Sequence, residues 1–151
     1  LFKDTKPSFY IYRQDAHGYT FNGLICGISV DDYLDGKIKI HEHTIARKEQ
    51  LFKQYLDITR FNAEPVLLTH PKLDAVDKII AKYARQFPDY DFSTTDTVRH
   101  QLWVIDNETD IKRITKSYKN LESIYLADGH HRSSSSALLA LSDRRKKTGK
   151  K

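Results

Sequence analysis

The sequence predicts an α+β domain, a mixed sheet with helices packed against it, and three observations carry that expectation. The first stretch carries aromatic and branched residues on both sides of His17-Gly18, the pattern of two strands joined by a turn. Leu73, Val76, Ile79, Ile80, Tyr83 and Phe87 recur at steps of three and four, the period of an amphipathic helix. Through the second half, strand-like and helix-like segments alternate, which favours a mixed α/β arrangement around one core. At 151 residues, 39% of them apolar, the chain can fill one core of ordinary size and not two.

Phe9 to Arg13 and Tyr19 to Val30 are expected to form an antiparallel pair. Asp35-Gly36 then breaks the chain before Lys37-Ile38-Lys39-Ile40, whose alternation sets both isoleucines on one face of a short extended segment. That segment delivers His41-Glu42-His43-Thr44. With Thr44 as the N-cap, Ile45, Leu51, Phe52, Tyr55 and Leu56 fall on one side of a helix that fades near Ile58. Pro65 to Thr69 reads as a short strand, and Leu73 to Phe87 as a helix closed by Pro88. Val98 to Ile105 is expected as a strand, Thr109 to Tyr118 as a helix, and Ser123 to Ala127 as a buried strand ending at Asp128-Gly129. A final helix starts around His131. Ser133 to Ser136 is the one low-complexity stretch, and there is no internal repeat.

Composition narrows the function classes. No apolar run approaches the roughly 20 residues of a membrane-spanning helix, and the N-terminus shows no signal-peptide pattern. A soluble, cytoplasmic chain without a membrane partner is expected. The single cysteine, Cys26, lies among Leu24, Ile25 and Ile28 and is expected to be a buried, inert thiol. The net charge of +5 resembles a nucleic-acid signal until it is located: six of the 25 Lys and Arg residues lie in 144–151, and the remaining 19 face 20 Asp and Glu. A basic surface for sequence-independent phosphate-backbone binding is therefore not implied, and no specific nucleic-acid partner is expected. The absence of methionine suggests a piece of a longer chain. The expected organisation is a single α+β domain over 1–143, with a basic tail over 144–151 that forms the solvated end of a helix running into disorder.

The sharpest feature is Ile124-Tyr125-Leu126-Ala127-Asp128-Gly129-His130-His131-Arg132-Ser133, a strand that stops at a glycine and enters a helix. The first N–H groups of a helix have no internal partners, and the macrodipole adds partial positive charge, so an anion is favoured there. Gly129 permits close backbone approach, and Arg132 is a forked donor suited to phosphate. His130, His131 and Ser133 supply further hydrogen bonds. Asp128 as a helix cap is the simpler alternative, but capping leaves two histidines and an arginine unexplained.

His41-Glu42-His43 is the second feature. A carboxylate between two imidazoles has the composition of a general base, and equally of part of a metal site. On a strand, though, His41 and His43 point one way and Glu42 the other, unlike the four-residue helical spacing of zinc proteases. No metal is assigned. A solvated polar turn is the remaining alternative. His100 shares a strand face with Leu102 and Val104, and a core role and a site-facing role are equally open to it. Trp103 reads as core. Glycine-rich P-loop and dinucleotide fingerprints are absent.

At Ala127-Asp128-Gly129-His130-His131-Arg132, with His41-Glu42-His43-Thr44 upstream and Tyr10-Ile11-Tyr12-Arg13 near the start, the chain resembles the DUF1015 family of uncharacterised bacterial and archaeal proteins. The Asp-Gly-His-His-Arg element is also similar to the phosphate-binding signature of the ParB/sulfiredoxin superfamily, which includes nucleotide hydrolases and a free-serine kinase. The resemblance implies a ParB/sulfiredoxin-like nucleotide-binding fold. Carried onto this chain, Gly129, His130, His131 and Arg132, with Ser133 beside them, would contact nucleotide phosphates, and Asp128 would stand near the reacting group. Glu42 takes the place of the catalytic base, without a motif that aligns it. His41, His43 and His100 are left as substrate contacts.

The function expected is an enzyme that binds ATP or ADP with Mg2+ and transfers a phosphoryl group to a small hydroxyl-bearing metabolite, or to water. A nucleotide-responsive regulator that binds without turnover is the alternative, and a His-rich metal-dependent hydrolase the third. The two motifs are also expected to meet in one cleft, because each lies where a strand ends and a helix opens.

Overall fold

The computed structural model describes residues 4–42 and 44–148. In chain order the elements are β1 (Phe9–Ala16), β2 (Tyr19–Ile25), α1 (Val30–Leu34), β3 (Ile38–Lys39), α2 (Ala46–Thr59), β4 (Leu67–Thr69), α3 (Asp74–Tyr83), β5 (Tyr90–Ser93), β6 (Arg99–Ile105), α4 (Glu108–Lys119), β7 (Ile124–Asp128) and α5 (His130–Thr148). The protein is α+β, with one antiparallel and one mixed sheet. The backbone packs as two compact units, each made of two separate stretches: Leu1–Gly27 with Lys72–Leu121, and Ile28–Pro71 with Glu122–Lys151. No described helix is long and apolar enough to cross a membrane.

The first unit is a four-stranded antiparallel sheet in the order β2-β1-β6-β5. His17 and Gly18 both have positive φ, 51° and 80°, and join paired Ala16 and Tyr19 in the two-residue turn that matches strand twist. Pairing sets Ile11 opposite Trp103 and Phe9 opposite Ile105. With Ile79 and Tyr83 of α3 and Ile114 of α4, Ile11, Trp103 and Ile105 form the core; each such side chain contributes about 1.5 to 3 kcal/mol when fully buried. The Trp103 indole N–H donates to the Gln86 carbonyl at 3.1 Å.

Three expectations for this unit change. β2 stops at Ile25, so Cys26 lies beyond the sheet and is exposed; it is not a buried thiol, although crowding by neighbouring atoms raises its pKa through desolvation. The helix from Leu73 ends at Tyr83 rather than Phe87, which is 99% exposed. Its last carbonyls are drawn into a turn, Ala84 N–H to Ile80 and Gln86 N–H to Tyr83, before Asp89 N–H joins Leu102. That turn feeds β5, a strand not anticipated.

The second unit centres on β7, which pairs parallel with β3 and antiparallel with β4. Residues expected to continue the second strand instead cap and open α1, because the Ser29 hydroxyl accepts from Asp31 N–H and Asp32 N–H at 3.1 and 3.4 Å. Ile38 is buried, while Ile40, past the end of β3, is half exposed. α2 begins after Ile45, not after Thr44; the Thr44 hydroxyl donates instead to the Glu49 carboxylate. Only Leu56 of the expected apolar face is buried; Ile45, Leu51, Phe52 and Tyr55 remain exposed.

The contact between α2 and α5 is made through small side chains. Ser135 is fully buried and Ala137 nearly so. The Ser135 hydroxyl lies 3.0 Å from the Glu49 carbonyl on α2 and 2.5 Å from the His131 carbonyl on its own helix, and with one proton it donates to one at a time. The serine-rich stretch therefore lets α2 and α5 approach closely. At the far end, the Arg144 guanidinium clasps Asp31 at 2.6 and 3.1 Å, so the basic segment lies within α5 as far as Lys147 and is anchored on α1.

Candidate functional site

β7 delivers Asp128 and Gly129 to the start of α5. Gly129 has φ +92°, and a Cβ there would fall 2.6 Å from Val66 Cγ1, so glycine is required both by the backbone conformation and by space. Ser133 N–H to the Gly129 carbonyl, at 2.9 Å, is the first helical bond. The amides of the preceding residues have no intrahelical acceptor.

Arg132 fastens this turn to the approach of β4. Its guanidinium donates to Glu64 at 2.8 Å, to the Pro65 carbonyl at 3.0 Å and to Asp128 at 2.9 Å. Three of its five N–H donors are thereby engaged, and its charge is met by two carboxylates. Both carboxylates are open to solvent, with Glu64 77% and Asp128 72% exposed.

His130 is buried, its side chain 5% exposed, with Nδ1 3.8 Å from the Glu42 carboxylate. The His41 ring stands edge-on to the His130 ring, centroids 4.4 Å apart. The segment after β3 and the first turn of α5 thus come together. His130 Nε2, His131 Nδ1 and Ser133 Oγ are buried with no hydrogen-bond partner among the described residues, a state native proteins seldom leave uncompensated. Behind them, Glu49 accepts from the hydroxyls of Ser134 and Thr44. These bonds, the Ser134 one foremost, hold its carboxyl below the usual range, helped by the charge of His131 and opposed by desolvation.

Of the other expected contacts, His43 lies outside the described residues. His100 belongs to the first unit, where Nδ1 meets the Tyr12 hydroxyl at 2.6 Å and Nε2 the Thr94 hydroxyl at 3.2 Å. Its ring stacks on Phe92 and Tyr12, so both nitrogens are already bonded. Sequence reasoning missed Glu49 and Glu64. Glu49 stands among polar residues of α2 with nothing to set it apart, and Glu64 only precedes a proline.

The family of proteins of unknown function designated DUF1015 matches the whole chain, residues 1–151. The chain belongs to the DUF1015 family. No curated protein and no solved structure matches it. In this DUF1015 chain the α5 turn combines open amides, orphaned imidazole and hydroxyl atoms and an arginine, donors that suit an anion with several oxygens. Among the described residues, which do not include His43, no group of three His, Cys, Asp or Glu side chains is arranged to hold a metal ion.

Proposed function

We propose that this DUF1015 chain binds ATP or ADP with its phosphates at the first turn of α5, in a ParB/sulfiredoxin-like manner, and transfers a phosphoryl group to a small hydroxyl-bearing acceptor or to water. The observation that carries the reading is the set of three buried, unpartnered polar atoms on His130, His131 and Ser133, beside amides that the helix itself leaves open. An oligophosphate supplies acceptors for them. The similarity of Asp128 to Arg132 to the superfamily's phosphate-binding signature supports the same ligand.

Arg132 can serve such a ligand despite its present partners. Ion pairs with solvent-exposed carboxylates are worth about 0.2 to 1 kcal/mol, whereas a charge-assisted bond to phosphate is worth about 1.5 to 3 kcal/mol. Glu64 and Asp128, both exposed, therefore yield to a phosphate. Mg2+ fits this donor set as a companion of the nucleotide, because it is usually held by one or two carboxylates together with phosphates; when bound it neutralises charge on the phosphates. Asp128 is the carboxylate that would hold it.

Glu42 is the base in this reading. The acceptor hydroxyl gives its proton to the Glu42 carboxylate, its oxygen bonds to the terminal phosphorus of ATP, and the bond from that phosphorus to the bridging oxygen breaks to release ADP. His130 and His41, packed on the same segment, position Glu42 and the acceptor. Labelled-phosphate transfer or release from ATP, assayed against a panel of small hydroxyl metabolites, tests the reading. The 64% exposure of Glu42 leaves the base open to water, which fits hydrolysis of the nucleotide as well as transfer to an acceptor.

A further inference from the structure

We propose a second anion site, in the first unit, where the groove between α3 and α4 takes a small oligophosphate. The groove has a volume of about 650 Å³ and is walled by Asp74, Lys78 and Lys82 from α3 and by Asp110, Arg113 and Lys116 from α4. Its size falls within the range of small-ligand sites.

Ion pairing inside the groove is already spent. Asp74 is paired with Lys72 at 3.1 Å. Asp110, its side chain only 4% exposed, is held by Lys82 at 2.6 Å and by the Tyr83 hydroxyl at 3.2 Å. Lys78, Arg113 and Lys116 are left with no ion pair among the described residues, and they rise from both walls. Outside its basic C-terminal segment the chain is nearly balanced, with 19 Lys and Arg against 20 Asp and Glu, so this local excess is not a by-product of a basic protein.

Lys78 and Lys82 are four apart on α3, and Arg113 and Lys116 three apart on α4. Asp74, four before Lys78, and Asp110, three before Arg113, offset part of the repulsion within each helix, and a ligand with adjacent phosphates meets the remaining cations of both walls at once. Apart from Ala75 and Ile79, every residue lining the groove is charged or polar. An oligophosphate is therefore the class that fits. The site does not depend on the α5 turn and does not rest on the function proposed there.

The test titrates inorganic tripolyphosphate into the full chain, followed by amide chemical shifts at physiological salt. Saturable binding with shifts along α3 and α4 is expected. The double variant Lys78→Glu with Lys116→Glu should weaken it by about tenfold or more, and Lys78→Gln with Lys116→Gln by less. Both lysines are exposed, and thermal melting would verify that each variant stays folded. His130→Ala should leave binding at α3 and α4 unchanged, which separates this site from the α5 turn. Unsaturable binding, unchanged affinity in both double variants, or equal competition by an acidic peptide would overturn the proposal.

Discussion

The Glu42 carboxylate lies 3.8 Å from Nδ1 of buried His130, which brings the residues after β3 onto the first turn of α5. Glu42 is therefore placed beside the same turn that carries the unpartnered imidazole and hydroxyl atoms. If it is the base, Glu42→Gln should abolish phosphoryl transfer while nucleotide affinity stays within a few fold, because a base acts on the acceptor proton and not on the nucleotide. Single-turnover kinetics and calorimetric titration, run on the same variant, separate the two effects. Lost affinity with retained chemistry would remove Glu42 from the role.

Gly129→Ala should destabilise the second unit by about 1 to 3 kcal/mol, through a strained positive φ and overpacking against Val66. The added methyl meets Val66 Cγ1 at 2.6 Å. Val66→Ala in the same chain should restore part of the loss, since it removes the atom that is struck and not the backbone strain. Urea unfolding of the single and double variants measures this.

Asp110 gives the first unit a dependence on acid. Lys82, through its hydrogen bond first and then its charge, holds the Asp110 carboxyl below its ordinary value, assisted by Tyr83 and Arg113 and opposed by desolvation. A depressed carboxylate contributes stability that is present above its unfolded pKa, about 3.9 for aspartate, and is lost as pH falls through the lower folded value. Stability should therefore decline below about pH 4, and Asp110→Asn should flatten that decline while costing about 1 to 3 kcal/mol at neutral pH. The neighbouring Tyr83 hydroxyl, pushed up to about 12 chiefly by burial, stays protonated throughout. Denaturant melts across the acid range measure the slope.

Ser135→Leu should cost about 1 to 3 kcal/mol by overpacking the contact between α2 and α5, and Ser135→Ala about 1 kcal/mol by removing one hydrogen bond. Ser135 is fully buried with its hydroxyl between two carbonyls. A loss for leucine no larger than for alanine, read from thermal melts, would show that the contact has room for the larger side chain and contradict the overpacking.

Much of this fold is legible along the chain, because local chemistry agrees with the tertiary outcome. The His17-Gly18 hairpin, β6, α4 and the passage from β7 into α5 follow from turn residues and hydrophobic period. Phe87 misled because it continues the spacing of α3, although the chain must turn before Pro88 to reach β5. Val30 misled because a branched residue after Ile25 and Ile28 reads as strand, whereas Ser29 caps a helix there. The α2 face misled for a different reason: α5 meets α2 through Ser135 and Ala137, so Leu51 and Tyr55 are apolar without being buried. At the site, the meeting of His41 and Glu42 with His130 could be anticipated from strand ends opening into helices. The commitment of Arg132 to Glu64 and Asp128 could not, since Glu64 lies on a segment whose approach is set by the pairing of β4 with β7.

The central claim is that nucleotide phosphates sit at the first turn of α5, and amide chemical shifts recorded during an ADP titration test it most directly. The account predicts saturable shifts that are largest at the amides of Gly129 to Ser133, with the His130 and His131 ring signals moving in step. Saturating ADP that leaves those amides unmoved, whatever it does elsewhere in the chain, would contradict it.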